Sequence, residues 1–214
     1  EPGDRVAVQL LAQGLPGWIC ADPAMGWPRQ GQPVNGVAGA VLAGGASRRM
    51  GADKALIPVD GVPLAVRTAQ TLRAAGCGPV WLVGSQPALH NLDWPSLPDA
   101  PGAGHHPLRG VVAALRASTQ PLVLICPCDL PALTADAVRR LLDHGGPCVA
   151  HSGDRRHHLL AVLPVTLLQR AQQIMDQQGP ARLLVADLPA VTLDPQTTAN
   201  ANTPADLLAH GRRS

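Results

Sequence analysis

Phenylalanine and tyrosine are absent from the 214 residues, and four tryptophans remain. Flat rings for stacking nucleobases are therefore few, and Trp81 and Trp94 read as core or edge packing. No apolar run approaches the roughly 20 residues of a membrane span; Leu122–Cys126 and Leu159–Leu163 are among the longest and both are short. The first residues show no charged-then-apolar leader pattern, although the chain opens on Glu1 rather than Met. Neither sign of charge dominates, with 17 Lys+Arg against 15 Asp+Glu. That balance argues against an extended nucleic-acid surface or a polybasic membrane patch. The five cysteines are scattered and odd in number, unlike a disulfide-dense secreted scaffold, so a cytoplasmic location is expected. Cys126 and Cys128 have no second pair at zinc spacing and read as core or near-core thiols. Lysine occurs once, as Lys54, against 16 arginines, and glutamate once, as Glu1, against 14 aspartates. Where a compact ammonium must approach a phosphate, arginine is no substitute for lysine.

What is present is a chain with 46% hydrophobic content, too apolar for a disordered one. Its length fits one domain of about 150–200 residues with a short extension. Residues 1–36 stand apart. Asp4–Gln13 could form a short helix, and Gly14–Gly36 is broken by four prolines around Trp18 and Trp27. Residues 37–214 form the expected domain. Strands are expected at Val37–Leu42, Val80–Val83, Leu122–Cys126, Cys148–Ala150, Leu159–Leu163 and Val191–Leu193. Helices are expected at Pro63–Ala75, Leu108–Ala117, from the Thr134 cap to Leu142, at Val165–Gln177, and from Thr203-Pro204 onward. This alternation predicts an α/β fold, an open and mostly parallel sheet covered on both faces. Ligands in such folds bind beyond the carboxyl ends of the strands.

Three segments lie at such places. Leu42-Ala43-Gly44-Gly45 opens a glycine-rich stretch that runs through Ser47 and Arg49 to Lys54, directly after the first core strand. Glycines let the backbone approach an anion closely, and hydroxyl, guanidinium and ammonium donors follow. The stretch reads as a polyphosphate cradle, with a plain structural turn as the alternative. It matches neither the P-loop nor the dinucleotide fingerprint. Asp129, after the apolar run to Cys126, is either a turn residue or a hard ligand for Mg²⁺. Asn200-Ala201-Asn202-Thr203-Pro204 is either a helix start or a source of side-chain carbonyls for metal or phosphate.

Together these segments resemble the molybdenum cofactor guanylyltransferase family, a nucleotidyltransferase branch with a Rossmann-like fold. The motif L-A-G-G-x-S-x-R-M-G-x-D-K is read from Leu42 to Lys54, C-D-x-P from Cys128 to Pro131, and N-x-N-T-P-x-D/E-L from Asn200 to Leu207. The resemblance covers residues 37–210 and implies a three-layer α/β/α architecture. It implies transfer of GMP from GTP to the phosphate of Mo-molybdopterin, with Mg²⁺ as cofactor and pyrophosphate leaving. Molybdoenzyme-specific chaperones would be further partners, and neither nucleic acid nor membrane would be one. Carried over by position, Leu42, Ala43, Gly44 and Gly45 meet the guanine nucleoside through the backbone. Arg49 and Lys54 hold the triphosphate, Asp99 contacts the nucleoside and Asp129 binds Mg²⁺. Asn202 contacts metal or pterin phosphate. Arg49, Lys54 and Asp129 would thus be the catalytic set.

The chain departs from the pattern at three places. Gly84-Ser85 stand where some members have a guanosine-binding asparagine. His106 replaces the first glycine of G-P-L-x-G, and His157-His158 replaces an H-P pair. With His105, these histidines read as loop contacts to the pterin or as solvated side chains rather than as a metal site. Transfer of CMP in place of GMP, another phosphate acceptor, and a nucleotide-binding module without transfer activity are the rival readings.

Overall fold

The computed structural model describes residues 36–44, 54–102 and 104–201. The expected helix at Asp4–Gln13, the stretch from Gly45 to Asp53 with Arg49, residue Asn202 and the helix from Thr203 lie outside the described residues.

Seven strands form one sheet. In chain order they are β1 (Val37–Leu42), β4 (Val80–Val83), β5 (Ser96–Leu97), β6 (Leu122–Pro127), β7 (Cys148–Ser152), β8 (Arg155–Pro164) and β9 (Ala190–Thr192). A separate two-stranded ribbon, β2 (Pro58–Val59) and β3 (Val62–Pro63), precedes β4. It turns on Asp60-Gly61, where φ is +52° and +79°, the Asp-Gly chemistry that tight hairpins need. The order across the main sheet is β5-β4-β1-β6-β8-β7-β9. Strands β1, β4, β5 and β6 pair in parallel, and β7 pairs in parallel with β9. Only β8 runs the other way, antiparallel to both β6 and β7.

Side-chain alternation on the central strands sorts the core into two layers. From β6, Leu122, Leu124 and Cys126 face one side, where α1 (Leu64–Ala74) and α3 (Ala135–Leu142) pack. Val123 and Ile125 face the other, against α2 (Leu108–Ala117) and α4 (Leu168–Asp176). The mostly parallel α/β/α arrangement is thus present. Helix α3 is capped by Thr134, whose Oγ1 accepts the Ala137 N–H at 3.2 Å. The stretch expected to be helical from Val165 begins as a 3-10 turn, Val165–Leu167, and becomes α-helical only at Leu168.

From β1 the chain passes to β4 and β5 on one side and then crosses to β6 on the other. The carboxyl end of β1 is therefore a topological switch point, where such sheets open a crevice. No described helix is long and apolar enough to cross a membrane.

Candidate active site

The crevice at the end of β1 is a cavity of about 400 Å³, a size usual for small-molecule sites. Leu42, Ala43 and Gly44 leave β1 along its floor, Asp99 follows β5, and Cys128-Asp129 follow β6. Lys54 enters from a short 3-10 turn, Lys54–Leu56. Six of the expected nucleotide and metal residues, Leu42, Ala43, Gly44, Lys54, Asp99 and Asp129, thus line one cavity, with His105 and His106 beside them. Gly45, Arg49 and Asn202 belong to the same motifs but lie outside the described residues.

The backbone after β1 is heavily tied. The N–H groups of Ala43 and Gly44 both donate to the Val83 carbonyl, at 2.8 and 3.1 Å, and the Leu42 carbonyl accepts from Cys128 N at 3.2 Å. The Ala43 carbonyl accepts from Gln86 Nε2 at 3.1 Å. The Leu42 and Ala43 carbonyls each keep a second lone pair, so this backbone offers the cavity acceptors rather than donors. Asp99 adds a carboxylate. A β-carbon at Gly44 would lie 3.0 Å from Asp99 Oδ2, so the glycine makes room for that close approach.

At the other end, Lys54 Nζ pairs with Asp129 Oδ2 at 3.4 Å, both side chains largely buried at 13% and 23% exposure. The same oxygen accepts from Asn200 Nδ2 at 3.2 Å, and the Asp129 carbonyl accepts from Ala201 N at 3.0 Å. The segment before Asn202 thus clamps the aspartate. Asp129 Oδ1 is buried and has no hydrogen-bond partner among the described residues. A hard carboxylate oxygen left bare in this way suits a divalent cation that takes its remaining ligands from phosphate and water. Among the described residues no three His, Cys, Asp or Glu side chains converge as a metal cage. The nearby thiols do not compete for this role. Burial pushes the Cys126 thiol well above its usual range, with further increments from Cys128 and Asp129.

A second cavity, about 740 Å³, opens on the far side of Asp129 and shares Pro127, Asp129 and Leu159 with the first. Its walls bring together Arg155, Arg156 and Arg182 with His157 and His158. None of these arginines was singled out from the sequence, because Arg155 and Arg156 open an ordinary strand and Arg182 lies in a short 3-10 turn. The His-His pair was the one available signal. Burial lowers the basicity of both histidines, aided at His157 first by Arg155 and at His158 first by Arg156. His157 Nε2 lies 2.7 Å from Ser152 Oγ. His106 leaves the second cavity to others: its Nε2 lies 2.8 Å from the Gly179 carbonyl, and its Nδ1 accepts from Leu108 N at 3.1 Å.

The family profile of the MobA-like NTP transferase domain matches residues 39–191. A molybdenum cofactor guanylyltransferase of Rhodobacter capsulatus is 36% identical over 183 residues, 80% of this chain and 93% of the relative. Another protein of that name, from Acidiphilium cryptum, is 34% identical over 148 residues, 67% and 74% of the two chains. Among solved structures, Rv0371c from Mycobacterium tuberculosis, described as a complex with manganese, aligns with a TM-score of 0.64 at 19% identity. That alignment covers 83% of this chain and 98% of the other and speaks to the fold alone. With the profile spanning most of the chain and a relative 36% identical over 80% of it, the chain belongs to the MobA-like NTP transferase family.

Proposed function

We propose that this protein is a molybdenum cofactor guanylyltransferase, moving GMP from GTP to the phosphate of Mo-molybdopterin and releasing pyrophosphate. The observation that carries the reading is Asp129, which stands on the wall common to two cavities and pairs with Lys54 from the first. One cavity takes the nucleotide and the other the acceptor, so the two phosphates meet where the lysine and the aspartate stand.

The first cavity suits guanine by its polarity. Its spare carbonyl lone pairs and the Asp99 carboxylate accept hydrogen bonds, and guanine presents a ring N–H beside its exocyclic amine. Cytosine presents the amine alone. The second cavity, with three arginines, matches an acceptor that carries a phosphate, since guanidinium forks bind phosphate oxygens in pairs.

An acceptor phosphate oxygen is already an anion, so no strong base is needed. The obstacle is bringing one anion against another. Asp129, with its bare Oδ1, would hold Mg²⁺; when bound, the cation supplies positive charge to the phosphates and to the leaving pyrophosphate. Lys54 binds the triphosphate as a point charge and neutralises charge that develops in transfer. Arg49 is assigned to the same triphosphate. Asn200 and Ala201 keep Asp129 from turning away, and the paired walls hold donor and acceptor in line. We place the reaction in the cytoplasm, a reading supported by five scattered cysteines, unlike a disulfide-dense secreted scaffold.

Incubation with Mg²⁺, molybdopterin and either GTP or CTP, followed by mass analysis, tests the proposal. The expected product is the guanine dinucleotide with one pyrophosphate per turnover, lost in Asp129→Ala and Lys54→Ala proteins that still melt cooperatively. A cytosine dinucleotide as the main product, or GTP binding without pyrophosphate release, would overturn it.

A further inference from the structure

The turn after β4, Gly84-Ser85-Gln86, stands beside the nucleotide cavity, yet neither Ser85 nor Gln86 lines it. Their polar atoms are directed at two groups that do line it. Ser85 Oγ donates to Asp99 Oδ2 at 3.2 Å and accepts from the Asp99 backbone N–H at 3.2 Å. Gln86 Nε2 donates to the Ala43 carbonyl at 3.1 Å. Its other amide atom, Oε1, is buried without a partner among the described residues. An amide left half-satisfied in this way is costly, and its retained bond falls on the floor of the cavity.

Gly84 leaves little room for a side chain of its own. A β-carbon there would lie 3.0 Å from Gly44 N, 2.7 Å from Leu89 Cδ1 and 2.5 Å from Gln86 Oε1. Backbone and buried side chain fill the space in which a side chain at 84 would begin.

We infer that Ser85 and Gln86 are positioning residues that set base specificity without touching the base, Ser85 by orienting Asp99 and Gln86 by fixing the Ala43 carbonyl. This rests on the reading of the cavity as a guanine site. Asp99 and the Ala43 carbonyl are acceptors for the base's N–H groups. Holding both in place discriminates among bases only while both are held, because an acceptor that can swing loses its directional advantage.

Equilibrium binding of GTP, inosine triphosphate and CTP in the presence of Mg²⁺ tests the inference. Inosine triphosphate lacks the exocyclic amine, so it loses less when an acceptor is released. Ser85→Ala and Gln86→Ala should each weaken GTP about tenfold, the scale of one hydrogen bond to a charged or fixed partner. Inosine triphosphate should weaken less, so that the preference for GTP shrinks. Ser85→Thr keeps the hydroxyl and should restore the preference. In an Asp99→Ala background, Ser85→Ala should cost nothing further, because the serine acts through that carboxylate. Variants that keep the wild-type ratio of GTP to inosine triphosphate within about twofold, or an equal cost of Ser85→Ala with and without Asp99, would overturn the inference. A wild-type protein that itself binds GTP no better than CTP would instead remove the guanine reading, and this inference with it.

Discussion

Replacing Lys54 by arginine keeps the charge and exchanges a compact ammonium for a planar fork. Largely buried beside Asp129 at 3.4 Å, the wider group should cut the rate of transfer while the melting temperature stays near wild type, as steady-state kinetics and a thermal melt will register. Gly44→Ala offers a complementary test. The added methyl would stand 3.0 Å from Asp99 Oδ2, and the carboxylate must give way. GTP affinity measured by calorimetry should fall about 10- to 100-fold, the worth of one charged hydrogen bond. Lys54 and Asp129 were legible beforehand because each is chemically conspicuous, one as the sole lysine and the other as a carboxylate closing an apolar run. Ser85 and Gln86 were not legible as braces. Their partners lie 14 and 43 residues away in the chain, and nothing in local pattern encodes a contact made by folding.

Elements were read most accurately where periodicity and punctuation agree. Strand β1 and helix α2 have the expected bounds, and Thr134 caps α3 as its residue type suggests. Thr134→Ala should therefore destabilise the fold by about 1 kcal/mol in urea or thermal unfolding. The β2–β3 ribbon went unread although Asp60-Gly61 advertises it, because two-residue strands leave no alternation to count. Strand β8 was expected at Leu159–Leu163 and extends back to Arg155, since its first half borders a cavity and is polar where the second half is core. His157 sits in that half with its basicity lowered from the ordinary 6.5. The unfolded chain then binds a proton more readily than the folded one. Stability contributed here is complete above pH 6.5 and falls as the pH drops toward the folded value. The melting temperature of His157→Gln should depend less steeply on pH between about 6.5 and 5 than that of wild type.

Across the whole molecule, the sheet divides the work between two sides of Asp129. Arg182 lines only the second cavity. Arg182→Ala should accordingly raise the KM for molybdopterin by about tenfold or more, as expected for a lost charge-assisted phosphate contact, with GTP affinity within about twofold of wild type. Parallel βαβ logic led to the crevice at the end of β1 from sequence alone; the arginine-lined cavity escaped it. The reason is the orientation of β8, opposed to both its neighbours. A strand laid with the rest would have delivered its opening residues to the bottom of the sheet, roughly 3.3 Å farther off for every residue of its length. Laid backwards, it carries Arg155 and Arg156 up to the rim where β6 ends and Asp129 follows. On the proposed function, a single inverted ribbon of chain thereby sets a place for the acceptor beside that of the nucleotide, and an insertion in the Gly153-Asp154 turn would move the acceptor's seat while leaving the nucleotide's untouched.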